Sequence, residues 1–122
     1  MILSEEQLLE FVASSFSSVW SLEMLLFLKS ADGPCSRQQL VASLRASDLV
    51  VAKALDSLFA AGLAAEEGGA VSYLPVNANV ANKVEQVEKF YRARPDVVRR
   101  AIVSGGRSGA TAFANAFKLR KD

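Results

Sequence analysis

Residues 22–75 constrain the fold of this chain more tightly than any other stretch. In order, they read as an apolar helix, a glycine–proline turn, a short capped helix, a tight turn, a longer amphipathic helix, and two short strands around paired glycines. The first of these helices covers about 18–30. Val19, Leu22, Leu25 and Leu26 recur at steps of three and four, and Trp20, Met24 and Phe27 widen the apolar surface beyond one face. A helix apolar on most sides is central or shared with a second copy. Asp32-Gly33-Pro34 ends it, because glycine permits the turn and proline cannot continue a helix.

Ser36-Arg37-Gln38-Gln39 has the serine-to-glutamine spacing of a capping box and opens a helix over about 36–45. After Ala46, Ser47 caps the next helix, about 47–62, whose inward stripe is Val51, Ala54, Leu55 and Leu58. Gly62 suits the left-handed residue that closes it. Strands are expected at 63–67 and 70–74, joined by Gly68-Gly69, which both tolerate positive φ.

The flanks are helical. Ser4-Glu5-Glu6-Gln7 is another capping box and starts a helix over about 4–14, with Leu8, Leu9, Phe11 and Val12 at helical spacing. A helix over about 77–93 carries Val80, Val84, Val87 and Tyr91 on one stripe. Glu85/Lys89 and Glu88/Arg92 stand on its surface as acid-first pairs four apart. Arg94 stops it before Pro95, which opens a last helix over about 95–104. Ser104-Gly105-Gly106-Arg107-Ser108-Gly109 reads as a flexible linker. The following tail, about 111–121, holds Phe113 and Phe117 four apart. The expected organisation is a domain over 1–75, a helical extension over 76–104 that pairs copies of the chain, and a linker and tail over 105–122. There is no internal repeat.

This order of elements resembles the winged helix-turn-helix regulators grouped with MarR. The resemblance rests on Ser36, Leu40 and Leu44, then Val51, Leu55, Leu58 and Gly62-Leu63, then Tyr73-Leu74. It implies a mainly α fold with a small β-hairpin wing and a C-terminal helical extension that dimerises. It also implies a transcriptional regulator that places the helix over about 47–62 in the major groove of duplex DNA. Carried over, the DNA-contacting positions are Arg37, Gln38, Arg45, Ser47, Lys53 and Ser57. Base edges are usually read by Arg, Lys, Asn and Gln, and Lys53 is the strongest such residue on that helix. Asp48, Asp56 and a wing tip of Glu66-Glu67 oppose phosphate binding. The alternative is a winged-helix protein-interaction module, with Leu49 and Val50 on the outer face and the Phe113/Phe117 tail as partner contacts.

Charge supports both. Net charge is only +1, but residues 1–72 balance at −5 and residues 73–122 at +6. Either the second half has an anionic partner, or the two halves pair. Arg92, Arg94, Arg99 and Arg100 are the densest basic cluster. With no histidine and one cysteine, Cys35, thiolate–imidazole metal sites and histidine catalysis are excluded within one chain. Glu66-Glu67 are adjacent on a turn and diverge, and the glycine-rich 104–109 lacks the lysine–serine ending of a phosphate loop. No enzyme activity, cofactor or metal is therefore expected. The single cysteine, the lack of a basic start and a longest apolar run of only Met24 to Leu28 point to a cytoplasmic protein with no membrane segment.

Overall fold

The computed structural model describes residues 2–111, with side chains described through Ser104. The elements are α1 (Glu5–Ser15), α2 (Val19–Ser30), β1 (Cys35–Ser36), α3 (Arg37–Leu44), α4 (Asp48–Ala60), β2 (Ala64–Glu67), β3 (Ala70–Tyr73), α5 (Ala78–Ala93) and α6 (Pro95–Thr111). Short polar residues set most helix starts by satisfying amide groups that have no partner inside the helix. The Gln7 amide donates to Ser4 Oγ at 3.1 Å, and the Ser4 amide to Gln7 Oε1 at 2.9 Å. The Gln39 amide donates to Ser36 Oγ at 3.1 Å, with the return bond from the Ser36 amide to Gln39 Oε1 at 2.7 Å. Ser18 and Ser21 make the same reciprocal pair before α2, and the Ser21 hydroxyl donates to the Ser18 carbonyl at 2.6 Å. Ser21 is fully buried, and these bonds satisfy it.

Helix α4 ends in a Schellman arrangement. The Leu63 amide bonds the Leu58 carbonyl at 3.0 Å, the Gly62 amide bonds the Phe59 carbonyl at 3.1 Å, and Gly62 has φ +73°. The chain then enters the hairpin of β2 and β3, in which Ala64 faces Tyr73 and Glu67 faces Ala70. Bonds from the Leu74 amide to the Leu63 carbonyl and from the Val76 amide to the Gly62 carbonyl tie the hairpin base to the end of α4. β1 was not expected. It pairs antiparallel with β3, Cys35 opposite Val71 and Ser36 opposite Ala70, giving the sheet order β1-β3-β2. Two residues carry no alternation to detect, so this strand exists only because β3 offers it an edge. Helix, strand, helix, helix and hairpin, with the first strand added to the hairpin, make a mainly α winged-helix fold.

One cluster of buried side chains runs through the structure, including Phe16, Leu22, Met24, Leu25, Leu40, Leu55, Leu58, Val71, Val84, Val98 and Ile102. α2 lies against α4 and also touches β3 and α6. α1, expected to brace the winged helix, packs mainly on α6 and α5. The Leu3 amide bonds Gln86 Oε1 at 2.8 Å. Most of the apolar surface of α2 and of the valine stripe of α5 is taken up inside the chain, with Trp20 of α2 left 40% exposed. Leu22, Met24, Leu25, Val84, Val87 and Tyr91 are all buried.

Two further details depart from the sequence reading. The segment 104–109 is not a linker, because α6 continues through it to Thr111. Each helical glycine costs about 1 kcal/mol, but extending a helix already anchored by buried Val98 and Ile102 needs no new nucleus. Glu85 pairs with Lys29 of α2 at 3.0 Å rather than with Lys89. Lys29 also reaches Glu88 at 2.9 Å, and Glu88 holds Arg92 at 2.9 Å. Phe113 and Phe117 lie outside the described residues.

Gly62 and Gly33 make a matched test of the α4 terminus. A Cβ on Gly62 would meet Val76 Cβ at 3.2 Å on a left-handed backbone, whereas a Cβ on Gly33 meets nothing within 4 Å. Gly62→Ala should lower stability by at least about 1–2 kcal/mol, and Gly33→Ala by much less, as read from urea unfolding of the two variants.

Candidate nucleic-acid interface

The inward stripe of α4 fixes its rotation. Val51, Ala54, Leu55 and Leu58 are at most 2% exposed, so Asp48, Leu49, Lys53 and Asp56 face outward. Ser47 stays exposed as the N-cap and accepts from the Val50 amide at 3.1 Å. Leu49 is 63% exposed, whereas Val50 is half-buried. Ser57 does not face out as the DNA-contact reading required. Its hydroxyl donates to the Ser15 carbonyl and accepts from the Ser17 amide, each at 3.3 Å, which pins the α1–α2 turn to α4. Ser57 sits three residues beyond Ala54, close enough to the buried stripe to be drawn toward the core.

On α3, Gln38 is exposed and Gln39 completes the cap. Arg45 closes the helix in the left-handed region, with φ 55° and ψ 43°. Among the described residues it is the only residue other than glycine with positive φ. That conformation costs a side-chain-bearing residue about 1–2 kcal/mol. Arg45 is exposed, as is Lys53, and neither has an ion-pair partner among the described residues.

Arg37 is different. Its Nε donates to Glu66 Oε2 at 2.9 Å and its Nη2 to Glu66 Oε1 at 2.8 Å. This two-point pair ties the start of α3 to the wing. Cys35, Val71 and Glu66 form one row across the three strands, and Arg37 stands two residues beyond Cys35. The long arginine side chain spans β3 to meet Glu66 on the far strand. The hydrogen bonds from Arg37 hold the Glu66 carboxyl below the ordinary value of 4.5. Those bonds, with Asp56 adding a weaker attraction through space, raise the guanidinium above its own ordinary value. The sequence singled out both residues but not their pairing. The pair becomes visible only once β1 is known to join the wing.

The remaining sequence candidates bring little chemistry together. Cys35 is buried in β1, with its sulfur 3.7 Å from the Gly33 carbonyl. Among the described residues no three His, Cys, Asp or Glu side chains cluster as metal ligands. No single helix there is long and apolar enough to cross a membrane. Comparison with protein-family models, curated proteins and solved structures found no match to this chain.

The charge of the surface around α4 follows from these placements. Arg45 and Lys53 stand against Asp48, Asp56 and Glu67, while Arg37 and Glu66 cancel. The pair is exposed, so its weight is best read as a titration. A lowered carboxyl pKa contributes above the ordinary value of 4.5 and stops contributing as pH falls through its folded value. By NMR, the Glu66 carboxyl should titrate below the ordinary glutamate range, and Arg37→Met should return it there.

Proposed function

We propose that this chain is a winged-helix protein-interaction module that regulates through protein contact, with little grip on duplex DNA. The observation that carries it is the Arg37–Glu66 pair. The cation best placed to hold a phosphate at the start of α3 is already occupied by a wing carboxylate. Phosphate contacts supply most of the affinity for duplex DNA, and each needs an available cation. Here two available cations face three carboxylates. Leu49, 63% exposed at the head of α4 between Ser47-Asp48 and Lys53, suits a protein partner better than a groove of bases. Charged groups around an apolar anchor are the usual anatomy of such a contact.

A specific observation favours a second function, DNA-binding regulation in the manner of the MarR group. Arg45 occupies a strained turn position where glycine would be comfortable, and a strained arginine beside exposed Lys53 suits a phosphate contact. Either function fits a reducing compartment such as the cytoplasm, given one buried free thiol. Most of the α2 and α5 stripes lies in the core, so a homodimer would use the apolar side chains that stay exposed, such as Trp20 of α2 or Val103.

Fluorescence anisotropy with a labelled random-sequence duplex separates the two. The native chain should show no salt-sensitive binding at micromolar concentration, and a D48N/D56N/E66Q/E67Q chain should gain it. Submicromolar native binding that weakens with salt, and weakens again in Arg45→Ala and Lys53→Ala, would establish the second function instead.

A further inference from the structure

A groove of about 390 Å³ lies between the start of α2 and the end of α3, lined by Val19, Trp20, Glu23, Ser43 and Leu44. It is mostly apolar, with one carboxylate. Trp20 is 40% exposed on a helix whose other large side chains are mostly buried. Trp20 and Glu23 are three residues apart and so share a helix face. An indole face beside a carboxylate suits a cationic side chain, which gains an ion pair and a cation–π contact together. Glu23 is held in place by the Tyr91 hydroxyl, and the Arg99 guanidinium lies 5.5 Å from the Tyr91 ring centre. Helix α6 therefore starts at the rim of this groove.

We propose that the groove is the docking site for this chain's own C-terminal segment, residues 112–122. The chemistry matches at each point. Phe117 and Leu119 suit the wall of Val19, Trp20 and Leu44, and Lys118, Arg120 and Lys121 suit Glu23. The described ion pairs leave this match open. The two that cross from the acidic half to the basic half run the opposite way, from Lys29 to Glu85 and to Glu88, and Glu23 is in none of them. Reach is also sufficient. From Arg99 to Thr111 the helix carries the chain about 18 Å from the rim, and a chain extended from Thr111 brings Phe117 about 20 Å back and Lys121 about 33 Å back. The same segment of a second copy satisfies the chemistry equally, and dilution separates the two arrangements. This inference does not depend on what α4 binds.

Trp20 is the only tryptophan, so its fluorescence reports on the groove alone. In the full chain, F117S/L119S should raise acrylamide quenching of Trp20 about twofold, as expected when an aromatic contact is removed from a partly exposed ring. Adding the free peptide 112–122 to that variant should restore protection. The peptide should bind E23Q, which keeps an acceptor for Tyr91, more weakly. Tail-dependent protection in the native chain that survives dilution supports docking within one chain; tail-dependent protection that falls on dilution would assign the groove to the segment of a second copy and overturn docking within the chain. Equal quenching in the native and F117S/L119S chains would overturn the proposal, as would the tail settling on the acidic face of α1 and leaving Trp20 unchanged. Protection that is independent of the tail but lost on dilution would assign the groove to a plain contact between copies, and would overturn it too.

Discussion

The structure depends on the burial of one face of α4 against α2. Val51, Ala54, Leu55 and Leu58 from α4 meet a helix whose Leu22, Met24 and Leu25 are fully buried. Burial of side chains this size is worth about 1.5–3 kcal/mol each, and no other element offers α4 comparable cover. The contact also decides which residues face outward. With the stripe inside, Asp48, Leu49, Lys53 and Asp56 can only be presented to solvent. The end of α4 then aims the wing, because the Gly62 turn and its bonds to Val76 and Leu63 fix where β2 begins. The surface that α4 presents is thus a by-product of core packing.

Charge is distributed unevenly on this scaffold. The α4 and wing surface is acidic on balance, and its best-placed arginine is closed by Glu66. The positive side chains sit instead on α5 and α6. Arg92 answers Glu88, Arg100 stands 3.8 Å from Asp96, and Arg99 rests over Tyr91. The two halves of the chain do not neutralise each other through the described ion pairs. Each keeps its own sign at the surface, a condition for selective contact with oppositely charged partners.

Much of the fold was legible from residues 1–104, because local signals and the global fold agree there. The capping boxes at Ser4 and Ser36, the Ser47 cap, the Gly62 stop and the Gly68-Gly69 hairpin each have a local physical cause, and each stands where its residues put it. What could not be read has non-local causes. β1 needs a neighbouring strand to exist. The Arg37–Glu66 pair needs β1. Ser57 turns inward to serve a loop forty residues away in sequence, and Glu85 chooses Lys29 across the α2–α5 contact over Lys89 on its own helix. The continuation of α6 through its glycines depends on packing that begins a turn earlier. Of the candidate surface, Lys53, Arg45, Gln38 and Leu49 are exposed as expected. Ser57 and Arg37 are each exposed only in part and already engaged.

Native-state hydrogen exchange on α4 tests most directly the claim that its contact with α2 holds the structure together. Amides of Val51, Leu55 and Leu58 should exchange only through global unfolding, with the same free energy and the same denaturant dependence as Leu25 and Leu28 of α2. Exchange of the α4 amides through a lower-energy opening, with α2 and the α1–α6 layer still protected, would show that the fold stands without α4 and would contradict this account.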